Sequence, residues 1–443
     1  MLKEAFKDQT KVSPEILPAD ISKFYEQYAT ATWHSLEAMV YPSGLPADHL
    51  HFLLIDRESS EMAVRIDRTS PTNIGYKLAC DCAAAALGEI THTEAQKKIE
   101  TTLITIQKMM KDPQVFVPTG NKEGGLFINW VQSSTGQALT HWLAVDSPIE
   151  QQLPPPPLEQ QISSLDNAWV KAFLMLTKGY FPQTGETIDN ILSRIDLPFM
   201  LDHNTGLFRG VYMINPPGFK PWQYAKPSES RVQYAVCDDN IAKLMTIMFN
   251  NRSEQSVFTD STGRCGRRTW DGESFATFWP ALIIPEDKLN PQWEQSYRAT
   301  IQAQKDFGSR HNGGHYGYSA GLGPDGKYYE FRVPETGESN DQYKPQTVIT
   351  ISALVNMGIV EPIETCLALQ SLHEEFKGLV HTGMGDGDTI NTVTGEYQPD
   401  QLFPNQAVSL LTCWNILKNR QPQELFMQAA PPAIRKVYEC PLW

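Results

Sequence analysis

No apolar run in this 443-residue sequence approaches the roughly 20 residues that span a bilayer, so no membrane-spanning helix is expected. Basic residues are in the minority. There are 37 Lys and Arg against 51 Asp and Glu, for a formal net charge of −14. A nucleic-acid binder needs a basic face to neutralise phosphates, and this balance argues against one. The seven cysteines are an odd number and scattered, with no Cys-x-x-Cys or Cys/His zinc spacing. Cys80 and Cys82 lie two apart on a predicted helix and so point to different faces; the expectation is buried packing thiols in a reducing compartment. Phosphate loop, dinucleotide fingerprint and nucleophile elbow are all missing. The N-terminal stretch carries charges and prolines and does not read as a secretory signal. A cytoplasmic protein is therefore expected, or a periplasmic or secreted one if an export segment precedes this sequence.

What is present is material for a core: 41% of residues are apolar and 20% charged, which argues against extensive disorder. No sharp change of composition divides the chain, so residues 1–443 read as a single domain. Helical patterns recur instead. Ile21 to Val40 and the Ala-rich Thr72 to Leu87 are followed by Thr91-His-Thr-Glu94, a capping box. After it, Ile99, Leu103, Ile106 and Met110 recur at helical spacing. Leu165, Trp169, Phe173 and Leu176 mark another helix, with Thr187 to Ile195 as its partner. Arg231 to Phe249, Glu273 to Leu282, Pro291 to Ala303, Gln346 to Met357 and Glu361 to Lys377 follow. The stripe Ala407, Leu410, Leu411, Trp414, Leu417 and a segment after Gln421 complete about twelve helices, each stripe read first as core. Strand-like pieces are few: Leu126 to Trp130, Leu207 to Met213 and Lys327 to Val333. Pro154 to Pro157 is a stiff loop brace. Paired helices with long loops predict an all-α fold, a single (α/α)6 toroid whose loops and short β-hairpins build the site at one end.

Those loops mix carboxylates with Trp, Tyr, His, Asn and Arg. Sugar sites use that mixture: aromatic faces stack on the C–H faces of pyranose rings, and planar polar groups bind hydroxyls. Hydrolysis of a glycoside further needs two carboxyl groups, one to protonate the leaving oxygen and one to activate water or attack carbon. Thr69-Ser-Pro-Thr-Asn-Ile-Gly75 leads into a helix with Asn73 at the mouth, although capping by Ser70 or Thr72 explains the string equally well. Gly125-Leu-Phe-Ile-Asn-Trp130 precedes Ser164-Leu-Asp-Asn167, where Asp166 either caps the helix or binds a hydroxyl. Asp202 to Tyr212 reads as a turn and a strand, and Ser228-Glu-Ser-Arg231 opens a helix. Glu229 there is either a surface residue favoured by the helix dipole or an acid raised by burial or negative neighbours. Thr269-Trp-Asp-Gly-Glu-Ser-Phe275 brings Asp271 and Glu273 close together. His311 and His315 are four apart, but the glycines between them weaken the helix a zinc pair would need. Gly385-Asp-Gly-Asp388 lacks the full spacing and terminal Glu of a calcium loop. No metal is expected.

Taken in order, these strings resemble the bacterial endo-β-1,2-glucanases and the related glucoamylase-like domains, including those of cyclic β-1,2-glucan synthases. The resemblance runs through Thr69 to Gly75, Phe127-Ile-Asn-Trp130, Asp166-Asn167, Ser228-Glu-Ser-Arg231 and Trp270-Asp-Gly-Glu-Ser-Phe275. It continues through Tyr316-Gly-Tyr-Ser-Ala320 and Pro324-Asp-Gly326 to Asn405-Gln-Ala-Val-Ser409. It implies an (α/α)6 toroid, action on β-glucan, typically β-1,2-linked, and no metal or organic cofactor. The implied partner is a poly- or oligosaccharide, with neither nucleic acid nor membrane. Glu229 would be the general acid and Asp386 the base, with Asp388 as its competitor. Asn73, Trp130, Asp166, Arg231, Trp270, His315 and Tyr318 would line the groove. Where many relatives carry a Glu directly after the Phe, this chain has Ala276; Glu273 either compensates, as a third catalytic candidate, or marks a different reaction. The loop 383–388 also lacks the aromatics of the hydrolases. A transglycosylase on β-1,2-glucosides and a catalytically silent carbohydrate-binding relative are the alternatives.

Overall fold

The structure, a computed structural model, describes residues 17–52, 63–121, 123–141, 158–202, 207–208, 210–215, 217–220, 257–259, 265–267, 269, 272–337, 346–377, 379–381 and 383–430. Helices dominate it. They are α1 (Ala19–Ala38), α2 (Pro71–Leu87), α3 (His92–Met109), α4 (Ser164–Tyr180), α5 (Gly185–Arg194) and α6 (Phe275–Phe278), then α7 (Glu286–Leu289), α8 (Pro291–His311), α9 (Ile351–Met357), α10 (Pro362–Glu375), α11 (Phe403–Leu417) and α12 (Gln421–Ala429). Local chemistry sets several of their ends. Ser70 caps α2 by accepting the Asn73 N–H at 3.2 Å, Pro71 opens it, and Gly88 ends it in the left-handed region. The capping box expected at Thr91 and Glu94 starts α3.

Burial sorts the helices into two kinds. Every residue of α9 is buried, as are nearly all of α2 up to Ala84 and all but one residue of Phe403–Asn415 in α11. A helix that is apolar all round has neighbours all round. By contrast α3 and α10 bury one stripe each: Ala95, Ile99, Leu103 and Ile106 on α3, and Cys366, Leu369 and Leu372 on α10. The buried helices lie side by side in the order α4, α2, α11, α9, while α5, α3, α1 and α10 pack against them from behind. Gly75 permits the close approach of α2 to α4, since a Cβ there would lie 2.8 Å from the Cα of Val170 on α4.

Two expected helices come out differently. Glu273 to Leu282 shrinks to α6 and a 3-10 turn, Pro280–Leu282, because Pro280 has no N–H to continue the ladder. In Gln346 to Met357 the β-branched Val348–Thr350 forms a strand against Thr389–Asn391 before α9 begins. Going the other way, α8 outruns Ala303 to reach His311. Arg231 to Phe249 and Pro154 to Pro157 lie outside the described residues.

The strands are short and antiparallel. His49–Phe52 sits between Gln401–Leu402 and Ala63–Arg65. Ala320–Leu322 pairs with Tyr328–Glu330, and Phe116–Pro118 with Gly125–Phe127. Gln401–Leu402 runs directly into α11, the Ala320 carbonyl accepts the Asn405 amide of α11, and the Phe127 N–H goes to Asn167 at the start of α4. Cys80, Cys82, Cys366 and Cys413 are free and buried. No described helix is long and apolar enough to cross a membrane.

Candidate active site

The strings that open α2 and α4 meet. Asp166, in the first turn of α4, accepts the Thr72 hydroxyl of α2 at 2.7 Å, while its own N–H goes to the cap residue Ser163. Burial raises the Asp166 carboxyl above its ordinary range, and the hydroxyls of Thr72 and Ser163 pull it back in part. Asn73 is buried one residue beyond Thr72 and donates its amide to Asp48 at 3.1 Å. Asp48 also takes Nε and Nη2 of Arg68, at 3.0 and 2.8 Å, and faces the imidazole of His49 at 3.3 Å. Burial opposes the charge on Asp48, but Arg68 and His49 outweigh it and hold the carboxyl well below the usual range. The Arg68 guanidinium lies over the Trp130 ring, 4.9 Å from its centroid. Thr69 and Val131, the next residue along each segment, form a two-way backbone bridge that keeps the two segments together.

On the other side stand three carboxylates of the sequence reading. Asp388 is buried, with Oδ1 accepting the Asn405 amide at 2.7 Å and Oδ2 the Leu322 N–H at 2.6 Å. Burial is the largest influence on it. Together with the charge of Asp400 it outweighs those two bonds and nearby His49, and pushes the carboxyl up to about 7. Glu273, also buried, accepts the Ala320 N–H at 3.1 Å. Asp388 and Glu273 therefore both bind one edge of strand Ala320–Leu322, at donors two residues or about 7 Å apart.

Asp386 has a different setting. Its carboxylate accepts the Tyr28 hydroxyl of α1 at 2.9 Å and meets His373 Nε2 of α10 at 2.9 Å. Its carbonyl accepts the side-chain amides of Gln401 and Gln406, at 2.9 and 3.0 Å. Asp386 thus ties the loop to α1 and α10, and Asp388, two residues on, turns toward the start of α11. Gly387 between them is forced: a Cβ would lie 2.3 Å from the Gln398 carbonyl oxygen.

The rest of the expected set divides. Tyr318 is fully buried, its hydroxyl accepting from Asn312 at 2.6 Å and donating to the Gln346 carbonyl at 3.1 Å, so it braces the core of its loop. His315 points to Glu375 at the end of α10, at 3.1 Å. Neither is joined to the Asp48 or Asp388 groups by any contact above. Glu229, Arg231 and Trp270 lie outside the described residues. Among the described residues no cluster of three or more His, Cys, Asp or Glu could hold a metal ion.

No protein-family model matches the sequence, and no curated protein sequence does. Solved structures do match. This chain has the fold of the endo-β-1,2-glucanases. The enzyme of Chitinophaga pinensis, solved with sophorotriose and glucose, aligns over 95% of this chain and 97% of its own, with a TM-score of 0.64 and 12% identity. The Talaromyces funiculosus endo-β-1,2-glucanase, solved with sophorose, aligns over 92% and 85%, with a TM-score of 0.62 and 10% identity. A candidate glucoamylase of Bacteroides fragilis aligns over 95% and 96%, with a TM-score of 0.66 and 13% identity.

Sequence reasoning missed Asp48, His49, Arg68 and Asp400. Asp48 and His49 sit in Pro46-Ala-Asp-His-Leu50, which carries no spacing signal, and Arg68 stands one residue before the first string. Asp400 accepts the Phe52 N–H at 2.9 Å and pairs with His51 at 2.8 Å. The pairing of His49–Phe52 with Gln401–Leu402 brings Asp400 to this group, and its pairing with Ala63–Arg65 brings Arg68.

Proposed function

We propose that this protein is a glycoside hydrolase of β-glucan, with β-1,2-linked glucan or its oligosaccharides as substrate. In this reading the side-by-side helices α4, α2, α11 and α9 belong to a single (α/α)6 toroid. The observation that carries the reading is Asp388, a buried carboxyl whose affinity for a proton lies near neutrality, in a fold shared with endo-β-1,2-glucanases. Glu229 gives its proton to the glycosidic oxygen as the C1–O bond breaks. Asp388 takes a proton from water as the water oxygen bonds to C1 from the opposite face, so the anomer inverts. Both carboxylates are buried and hydrogen-bonded. Asp388 is taken as the base because burial brings its carboxyl up to about 7 and it faces the start of α11, whereas Asp386 braces α1 and α10 through Tyr28 and His373. Asp166, Thr72, Trp130 and Arg68 supply hydroxyl-binding and stacking groups along the groove.

The test is incubation with linear β-1,2-glucan beside β-1,3-, β-1,4- and β-1,6-linked controls, with products resolved by chromatography. Short β-1,2 oligosaccharides from the first substrate alone are expected. Glu229→Gln and Asp388→Asn should each lower turnover by about 10²–10⁴-fold, the usual worth of a general acid or base. Absence of product from every glucan, or near-normal turnover in Glu229→Gln, overturns the assignment.

A further inference from the structure

We infer that Asp48 is a positioning residue that holds the sugar-binding face of this site in shape, acting through Arg68, Trp130 and Asn73. For its substrate this rests on the glucanase reading. Arg68, Thr72, Trp130 and Asp166 are partly exposed, whereas Asp48, His49 and Asn73 are buried behind them. A front of groups that can reach a ligand is thus backed by one carboxylate.

That carboxylate uses both oxygens. Oδ1 accepts from Asn73, and Oδ2 accepts two N–H groups of Arg68 and faces His49. Arg68 is the longest of these side chains and has the most rotamer freedom to lose. Anchoring at Nε and Nη2 fixes its plane, and the fixed plane lies over Trp130. The backbone of Asp48 extends the link. Its carbonyl accepts the N–H of Phe403, the first residue of α11, two residues before the Asn405 that binds Asp388. The stacking face and the reacting carboxyl are therefore set in register by a single residue.

A positioning role differs from a purely structural one in what it moves. Loss of the Asp48 charge weakens the two bonds that fix the Arg68 plane over Trp130, so the Trp130 surface becomes heterogeneous and ground-state binding weakens. Asp388 keeps its own bonds to Asn405 and Leu322, so the chemical step is spared. The expected result for Asp48→Asn is a rise in KM for β-1,2-glucan of about tenfold with kcat within about twofold, matched by Arg68→Ala. The double variant should be no worse than either single one, because both remove the same arrangement.

A second readout is independent of turnover: the indole N–H resonance of Trp130, identified by its loss in Trp130→Phe. Asp48→Asn should shift or broaden that signal, and Asp48→Glu should partly restore it. If Asp48→Asn does not fold, Arg68→Lys, which keeps the charge and loses the planar pair of N–H donors to Asp48, carries the same test. An unmoved Trp130 signal, or a fall in kcat at constant KM, overturns the inference, as does a loss of melting temperature with both constants unchanged. Should the wild type neither cleave nor bind any glucan, the glucanase reading fails by itself. The Trp130 signal then still decides whether Asp48 governs this surface.

Discussion

At the scale of single residues, Asp388 has its charge set from several directions. Burial drives its carboxyl up to about 7 against Asn405, the Leu322 N–H and His49, with Asp400 adding to the rise. In the proposed role of general base it must be ionised, so the rising limb of kcat/KM should lie at about pH 7. A fall at higher pH belongs to loss of the proton from the acid, Glu229; a pH–rate profile checks this. A profile with no rising limb near pH 7 would count against Asp388 as the base. Stability carries the opposite sign. A carboxyl raised above its unfolded value, about 3.9, stabilises the fold fully below that value, and the contribution is lost as pH rises through about 7. Relative to wild type, Asp388→Asn should therefore melt higher at pH 8 than at pH 5, by thermal denaturation at both. His373 adds a separate titration. Burial would lower its imidazole, but the charge and hydrogen bond of Asp386 raise it above the ordinary value. Its NMR titration midpoint should lie above about 6.5 and return toward or below it in Asp386→Asn.

At the scale of elements, the starts of helices were the most legible part of the chain. Ser70-Pro71 and Thr91 with Glu94 carry their meaning within four residues, and the structure uses them as caps. The apolar stripe Ile99, Leu103, Ile106 likewise marked α3, because a helix with one buried face repeats in sequence. What the chain hid is pairing between distant segments. Val348–Thr350 is a strand only because Thr389–Asn391 lies beside it, and Asp48 is a hub only because Arg68, Asn73 and Phe403 come to it. The strings through Asn73 and Asp166 come together at the starts of their helices, where Thr72 meets Asp166. The helices α2 and α4 meet so closely at Gly75 that an added methyl must move backbone. Gly75→Ala should cost about 1–3 kcal/mol by chemical denaturation, where an open helical site would gain from the same change.

At the scale of the whole molecule, the charge of −14 bears on what the site can attract. A field of that sign slows the approach of polyanions and speeds that of cations, and salt screens both effects over about 8–10 Å. A neutral glucan feels neither. If recognition rests on stacking over Trp130 and on hydroxyl bonds to groups such as Asp166, KM for β-1,2-glucan should stay within about twofold between 20 mM and 500 mM salt. The ion pair of Asp48 with Arg68 behind that face is largely buried and little screened. Steady-state kinetics across the salt series decide the matter. A KM that falls steeply as salt rises would point to an anionic substrate held off by the protein's own field, and would count against an unsubstituted glucan.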